Sequence, residues 1–116
     1  MDSDCAANPD FCSWSKVYIP YCSGDMHSGT RTDRSVKLGN YFFAGHLQIE
    51  GMASEIKSHP ARGAAPTHFL ITGSSAGGIG ALTHTDFIAE KFPKTVVKGA
   101  PQVMNIVLKM MNCVLK

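Results

Sequence analysis

The sequence predicts an α/β fold in which a parallel sheet carries helices on its faces. A short apolar run over residues 68–72 is typical of a buried strand. Residues 46–59 and the stretch that follows residues 73–77 both place apolar side chains at helical spacing. Because strands and helices alternate along the chain, we expect parallel strands joined by right-handed crossovers. The 116 residues suffice for one domain with a modest core.

The first part of the chain is predicted to contain a strand and a long loop. Residues 14–22 include the β-rich run Val17-Tyr18-Ile19, and Pro20 restricts that strand to a sheet edge or ends it. Residues 23–39 are polar and glycine-containing, which indicates a surface loop of a length that is usually functional. Residues 40–45 predict a short aromatic strand or a turn.

The second part of the chain is predicted to hold three helices and two strands. The helix over residues 46–59 ends at Pro60, and a linker leads into the strand over 68–72. The next helix ends near Pro93, and residues 95–97 form a further strand. Pro101 is expected to break the chain, and a last helix covers residues 103–116.

Composition and charge exclude several classes of protein. The net charge of +2 is too small to indicate nucleic-acid binding, so no nucleic-acid partner is expected. No apolar run approaches the ~20 residues of a membrane span, and the acidic start of the chain lacks the apolar core of a signal peptide. The hydrophobic content of 44% is that of a globular domain and not of a disordered chain.

The four cysteines fit either disulfides or buried free thiols. Three of them lie in the first 22 residues, an arrangement that suits disulfides in a secreted protein, and their spacing matches no zinc pattern. The pairing stays open among Cys5, Cys12, Cys22 and Cys113. We expect neither a metal ion nor a cofactor.

The strongest functional motif is the turn that joins the strand over 68–72 to the following helix. Residues 73–77 read Gly-Ser-Ser-Ala-Gly, the G-x-S-x-G pattern of a nucleophile elbow, and strand–turn–helix is the context this motif requires. Gly73 and Gly77 leave room for a strained turn. Ser75 would then present its hydroxyl as a catalytic nucleophile, and the N–H of Ala76 would face the oxyanion.

Two other interpretations of this turn remain open. A glycine- and serine-rich turn can serve only to pack a helix onto a sheet. A phosphate-binding loop is the third possibility, but the Lys-Ser/Thr pair that follows the last glycine of such a loop is missing here.

A second candidate region is the loop over residues 23–39. If the strand over 14–22 is parallel to the strand before Ser75, the loop and Ser75 meet at one sheet edge, where ligands of open α/β sheets bind. His27 is the histidine best placed there, as a general base, a substrate-cleft residue or a solvated loop residue. Asp25 is a cleft residue or a turn former. His84 is too far along its helix to bond Ser75.

The other three histidines are weaker candidates for a base. His46 begins a helix near a strand end, where it could line the site. His59 lies at a helix C-terminus, where the helix dipole favours a cation. His68 starts the nucleophile strand, at the end opposite the turn.

Three stretches together resemble the pectin acetylesterase/Notum family of carboxylesterases. They are residues 8–29 (NPDF and WSKVYIPYCSGDMHSG), residues 43–50 (FAGHLQIE) and residues 71–78 (ITGSSAGG). The resemblance implies an incomplete α/β-hydrolase-like parallel sheet with flanking helices, a secreted protein, Ser75 as nucleophile and Ala76 as an oxyanion donor. It also implies an ester substrate: an acetylated polysaccharide such as pectin, or a fatty-acylated protein in the Notum branch. The sequence around His27 is more similar to that of the polysaccharide-type members.

The resemblance covers only part of a complete enzyme. The catalytic Asp and His of such enzymes come from strands after the nucleophile, and only 41 residues follow Ser75. We therefore expect a partial esterase domain over residues 1–99 and an unrelated tail over 100–116. The isolated chain is predicted to be an inactive fragment of a serine carboxylesterase, or a non-catalytic carbohydrate-binding or interaction module.

Overall fold

The fold is known from a computed structural model, which describes residues 2–34, 36–59 and 66–102. Its regular elements, in chain order, are a short 3₁₀ helix (Val36–Leu38), helix α1 (Gly45–Ser58), strand β1 (His68–Ser74), helix α2 (Ala76–Lys91) and strand β2 (Val96–Gln102). Strands β1 and β2 are parallel and pair from His68 with Val96 to Ser74 with Gln102. The β1–α2–β2 unit confirms the predicted α/β class and the predicted parallel sheet.

Helix α2 covers one face of the sheet because alternate strand positions turn towards it. Phe69, Ile71 and Val97 pack against the core cluster, and the ring of Phe69 lies 4.9 Å from that of Phe92 in an edge-to-face contact. Helix α1 packs into the same cluster. The buried members of the cluster come from both helices: Ile49, Ala53, Ile56, Ile88 and Phe92.

Helix α1 follows the periodicity predicted from the sequence, whereas on α2 the apolar residue Leu82 is 49% exposed although it falls at the predicted helical spacing. Helix α1 buries Ile49, Ala53 and Ile56 at spacings of four and three residues, which places them on one face. The apolar face of α2 ends at Phe92, whose N–H closes the last turn on the carbonyls of Ile88 and Ala89. Lys91 on α2 also pairs with Glu50 on α1 at 3.0 Å.

The strand predicted over residues 14–22 is wrong, because that segment contains no helix and no strand. Its side chains instead pack against other parts of the fold; for example, the Trp14 ring lies 6.4 Å from the ring of His68 at the start of β1. A β-rich run becomes a strand only where a partner strand accepts its ladder, and Pro20 removes one donor from this run. Of the two interpretations of residues 40–45, the turn is correct: Asn40 has a φ of 61° and α1 begins at Gly45.

Pro101 and one cysteine differ from what the sequence predicts. Pro101 does not end the last strand, because β2 runs through it to Gln102; a proline is tolerated on an edge strand, and within the described residues β2 pairs only with β1. Cys5 and Cys12 form a disulfide, whereas Cys22 is free and exposed, so the interpretation as a buried thiol is wrong for Cys22. Cys113, the linker over 60–65 and the helix predicted over 103–116 lie outside the described residues.

Over the described ranges, no helix is both long enough and apolar enough to cross a membrane.

Replacing Phe92 tests whether the α1–α2–sheet contact is the core of the fold. Phe92 is 5% exposed, and Phe92→Ala should lower the free energy of unfolding by about 3–5 kcal/mol through lost burial and the cavity that remains. Leu82→Ala on the same helix is the matched control, since Leu82 is 49% exposed and its truncation should cost about 1 kcal/mol or less. Urea denaturation measures both, and equal losses would contradict this assignment of the core.

Candidate active site at the β1–α2 turn

Ser75 lies in the single-residue turn between the last residue of β1 and the first residue of α2. Its backbone has a φ of 56° and a ψ of −122°, a conformation that a residue with a Cβ rarely adopts. Ser75 is exposed, and its hydroxyl makes no capping hydrogen bond to α2. A strained turn that presents an uncommitted serine hydroxyl between a strand and a helix is the geometry that a nucleophile elbow needs.

The two flanking glycines explain how the chain makes this turn. A Cβ on Gly73 would collide with the backbone carbonyl carbon and oxygen of Gly77, so strand and helix approach each other too closely for any side chain at Gly73. Gly77 is different, because a Cβ there would meet nothing within 4 Å. The elbow therefore depends on Gly73 for space.

Backbone hydrogen bonds hold the turn to the sheet. The N–H of Ser75 donates to the carbonyl of Gln102 at 3.1 Å, and the Thr72 hydroxyl donates to the carbonyl of Ala100 at 2.9 Å. The Ser75 carbonyl accepts the first helical bonds, from Gly78 and Ile79. These contacts fix the position of Ser75 from both strands.

The N–H of Ala76 is available to an anion. It belongs to the first turn of α2, whose N–H groups have no intrahelical acceptor, and no described residue accepts a hydrogen bond from it. The partial positive charge at the N-terminus of a 16-residue helix adds to the attraction. This N–H is therefore free to act as the oxyanion donor that the sequence predicts, and that role of Ala76 stays a prediction.

Asp25 serves as the anchor of the loop over residues 23–29. Its carboxylate accepts hydrogen bonds from the Ser23 hydroxyl, from the N–H of Gly29 at 3.0 Å and from the N–H of Gly45 at 2.9 Å. Burial acts to raise the pKa of Asp25, but these hydrogen bonds outweigh it and hold the pKa below the usual value. Since Gly45 is the first residue of α1, Asp25 also places a negative charge at the start of that helix.

His27 is buried against α2 and is not the solvated loop residue that one interpretation predicted. It is 6% exposed, and its ring lies so close to Gly80 that a Cβ on Gly80 would approach His27 Cδ2 to 2.8 Å. Gly80 is five residues after Ser75, about 7.5 Å along the helix axis. His27 Nδ1 is buried with no hydrogen-bond partner in the described part of the chain. A role for His27 or Asp25 in a substrate cleft stays a prediction.

The loop over residues 23–29 is not positioned by a neighbouring strand in the way that the sequence predicts. The parallel strand expected over residues 14–22 does not form. The loop is positioned instead by the Asp25 contacts to the start of α1 and by the packing of His27 on Gly80. A glycine inside a helical pattern signals a close approach by another element, so Gly80 was the residue in the sequence that indicated the contact between α2 and this loop.

No described histidine is hydrogen-bonded to Ser75. His84, predicted to be out of reach, contacts the carbonyl of Gly80 through Nδ1 at 2.8 Å and His46 Nδ1 through Nε2 at 3.0 Å. His68 lies at the start of β1, six residues from its end at Ser74. Within the described residues, no cluster of three or more His, Cys, Asp or Glu side chains is arranged to hold a metal ion.

Comparison with known proteins identifies the family of the chain. A family model described as Pectinacetylesterase matches residues 1–103. The chain belongs to the pectinacetylesterase family. Among its relatives are Pectin acetylesterase 5 of Arabidopsis thaliana, 38% identical over 95 residues, and Pectin acetylesterase 4 of the same plant, 35% identical over 98 residues. Palmitoleoyl-protein carboxylesterase NOTUM of Homo sapiens is 37% identical over 94 residues.

The chain spans about a fifth of the length of these relatives. The alignments cover 81% of this chain in all three cases, but 22% of the two plant proteins and 18% of the human one. The family resemblance predicted from residues 8–78 is thus confirmed on a partial chain. The predicted division into an esterase part over 1–99 and a tail over 100–116 stays a prediction.

Substitution of the two glycines of the elbow by alanine should have opposite effects on the stability of the fold. Gly73→Ala should destabilise the fold, by about 1–3 kcal/mol as for overpacking elsewhere, because its Cβ collides with the Gly77 backbone. Gly77→Ala should stabilise it by up to about 1 kcal/mol, because the Cβ has open space and alanine favours the helix.

Thermal denaturation followed by circular dichroism measures both changes. Equal effects of the two substitutions would mean that the close approach at Gly73 does not shape the turn.

Proposed function

We propose that this chain is part of a carboxylic ester hydrolase that uses Ser75 as its nucleophile. The observation that carries the proposal is the backbone of Ser75, with its φ of 56° in a turn flanked by β1 and α2 and its hydroxyl free of any helix cap. Structural strain of this kind costs about 1–3 kcal/mol and persists at functional sites, where it positions a reactive group. A turn that only packs a helix on a sheet has no need of it.

The reaction that this geometry serves is acyl transfer in two steps. A base takes the proton of the Ser75 hydroxyl while the oxygen attacks the ester carbonyl, and the alcohol leaves as the tetrahedral intermediate collapses to an acyl-serine. Water then attacks the acyl-serine and releases the carboxylic acid. The N–H of Ala76 stabilises the negative charge on the carbonyl oxygen in both steps. An α/β-hydrolase-like fold is part of this proposal, supported by the parallel β1–α2–β2 unit.

The substrate class follows from the names of the relatives. Two of them are pectin acetylesterases, which supports an acetyl ester on pectin or a related polysaccharide as the substrate. The human relative is named a palmitoleoyl-protein carboxylesterase, so deacylation of a lipid-modified protein is the alternative within the same chemistry. An extracellular location is proposed with it, since the Cys5–Cys12 disulfide suits an oxidising compartment.

A second candidate function is a non-catalytic binding module. The observation in its favour is that none of the described histidines reaches Ser75 with a hydrogen bond, so the described residues hold a nucleophile without a base. Removal of a triad member in serine hydrolases leaves only the residual contribution of the oxyanion hole and substrate binding. The isolated chain is therefore expected to hydrolyse esters very slowly, if at all.

Covalent labelling with a fluorophosphonate distinguishes the two candidates. The probe should modify Ser75 slowly, with one adduct per chain located by mass spectrometry, because the exposed hydroxyl sits beside the open N–H groups of α2. Ser75→Ala should abolish the adduct, and Ser74→Ala, one residue away at the exposed end of β1, should leave it unchanged.

An adduct that survives in Ser75→Ala would overturn the assignment of the nucleophile. Turnover of p-nitrophenyl acetate shows whether the chain has only a reactive serine or is a complete catalyst. Rapid hydrolysis that is lost in Ser75→Ala would contradict the expected inactivity. Binding of an acetylated oligogalacturonide, with neither adduct nor turnover, would favour the binding module.

A further inference from the structure

Three imidazoles meet where the loop over residues 23–29, the start of α1 and the first turns of α2 come together. His27 belongs to the loop, His46 to α1 and His84 to α2, and the three are here called the imidazole cluster. His84 is 4% exposed and His27 is 6% exposed. The ring of His46 stacks on that of His84 at 5.1 Å and contacts Phe87 at 4.7 Å. None of these side chains has a part in the proposed acyl transfer.

The hydrogen bonds fix which nitrogens of the pair carry protons. A carbonyl oxygen only accepts, so His84 Nδ1 carries a proton and donates to Gly80 at 2.8 Å. The Nε2 of neutral His84 is then an acceptor, and His46 Nδ1 must donate to it across 3.0 Å. The result is a relay that runs from His46 through His84 to the Gly80 carbonyl and joins α1 to α2.

This relay tolerates one added proton and fails with two. A first proton on His46 Nε2 leaves the Nδ1–H of His46 pointing at His84. A second proton, on His84 Nε2, sets two N–H groups against each other at 3.0 Å and breaks the bond. Burial lowers the pKa of His84 below its ordinary value of 6.5, in keeping with the cost of charging it in place.

His27 lies beside this pair on the loop. Its Nδ1 is buried without a hydrogen-bond partner in the described residues. Two further groups lie nearby: the Asp25 carboxylate of the loop, whose charge favours protonation of His84, and the Tyr21 ring, which precedes the loop and lies 5.0 Å from the ring of His27. Asp25 therefore opposes the effect of burial on the pKa of His84, and it supplies no hydrogen bond to the cluster.

We propose that the imidazole cluster is an acid-sensitive latch, which holds the loop over residues 23–29 and the start of α1 on helix α2 when neutral and releases them when protonated. The contacts that the latch holds are those of Asp25 with Gly45, of the His46 N–H with the Gly29 carbonyl at 2.9 Å, and of His27 with Gly80. In the released state His84 is solvated and takes up a proton at its ordinary pKa, so release is favoured below that pKa.

The direction and the size of the pH effect on release of the loop follow from proton linkage. A group whose pKa is depressed in the docked state contributes to docking above its ordinary pKa, and the contribution falls as the pH drops from there to the depressed value. Release frees His84 to take up the one proton that the docked pair excludes, which raises the opening constant by up to about tenfold between pH 7.5 and 5.5. The latch itself depends on these contacts alone; an effect of acid on acylation of Ser75 rests in addition on the proposed function.

Amide hydrogen exchange of the intact chain, followed residue by residue by NMR from pH 7.5 to 5.0, tests the latch. The N–H groups of Gly29, Gly45 and His46 report docking, and those of Phe92 and Val96 report the rest of the fold. After correction for the pH dependence of intrinsic exchange, opening at the three reporters should rise about five- to tenfold between pH 7.5 and 5.5, with Phe92 and Val96 unaffected.

Substitutions assign the effect to the cluster. In His84→Gln the group that the docked state keeps neutral is gone, so the rise should fall to about twofold or less. In His46→Asn the rise should fall as well, because the amide can donate to neutral His84 or turn its oxygen to accept from the protonated ring. His68→Gln removes an exposed histidine at the start of β1 and should behave as the unchanged chain does.

Three results would overturn the latch. Protection of Gly29, Gly45 and His46 that stays constant to pH 5.0 excludes release. Equal loss at Phe92 and Val96 means unfolding of the whole chain instead. If a substituted chain fails to fold, the histidine ring protons of the original chain decide: a His84 ring that takes up a proton while the three amides stay protected contradicts the proposal. Labelling of Ser75 is a separate readout, so its failure leaves this test intact.

Discussion

The close approach of Gly73 and Gly77 is the contact on which the candidate site depends. It brings the end of β1 against the first turn of α2 with no side chain between them, and the one residue left to connect them, Ser75, must take a positive φ. The strain of that residue is compensated by the parallel ladder between β1 and β2 and by the bond from the Ser75 N–H to Gln102. A reactive serine is thereby held at the sheet edge by backbone geometry.

Helix α2 connects that turn to the rest of the described chain, because its small residues admit neighbours on several sides. Gly80 accommodates the His27 ring, and on the sheet side the Thr85 hydroxyl lies where a Cβ of Gly99 would be. One turn further along, His84 reaches the N-terminal turn of α1, and Phe92 ends the helix in the core. The same helix therefore carries the elbow, the docked loop and the main apolar contact, so that changes at the loop are coupled to the turn through one rigid element.

The sequence predicted those parts of the molecule that neighbouring residues determine. Helix α1, strand β1, the turn and helix α2 follow from periodicity and glycine placement within short windows, and each was found within one or two residues of its predicted bounds. The strand over residues 14–22 was not found, because strand formation depends on a partner that local sequence does not reveal. The His46–His84 bond was not predictable either, since it joins residues 38 positions apart through the crossing of two helices.

This division between local and distant determinants also explains the composition of the candidate site. The Gly-x-Ser-x-Gly turn is encoded in the few residues around Ser75 and in the strand and helix they join, and it forms in a chain that spans about a fifth of its relatives' length. A general base would have to be brought to Ser75 from elsewhere in the fold, and no described histidine is hydrogen-bonded to this serine. The backbone geometry of the turn and catalytic competence are thus separable properties. The turn sets the position of the Ser75 hydroxyl, but in serine hydrolases the reaction rate depends on groups that such a turn does not supply.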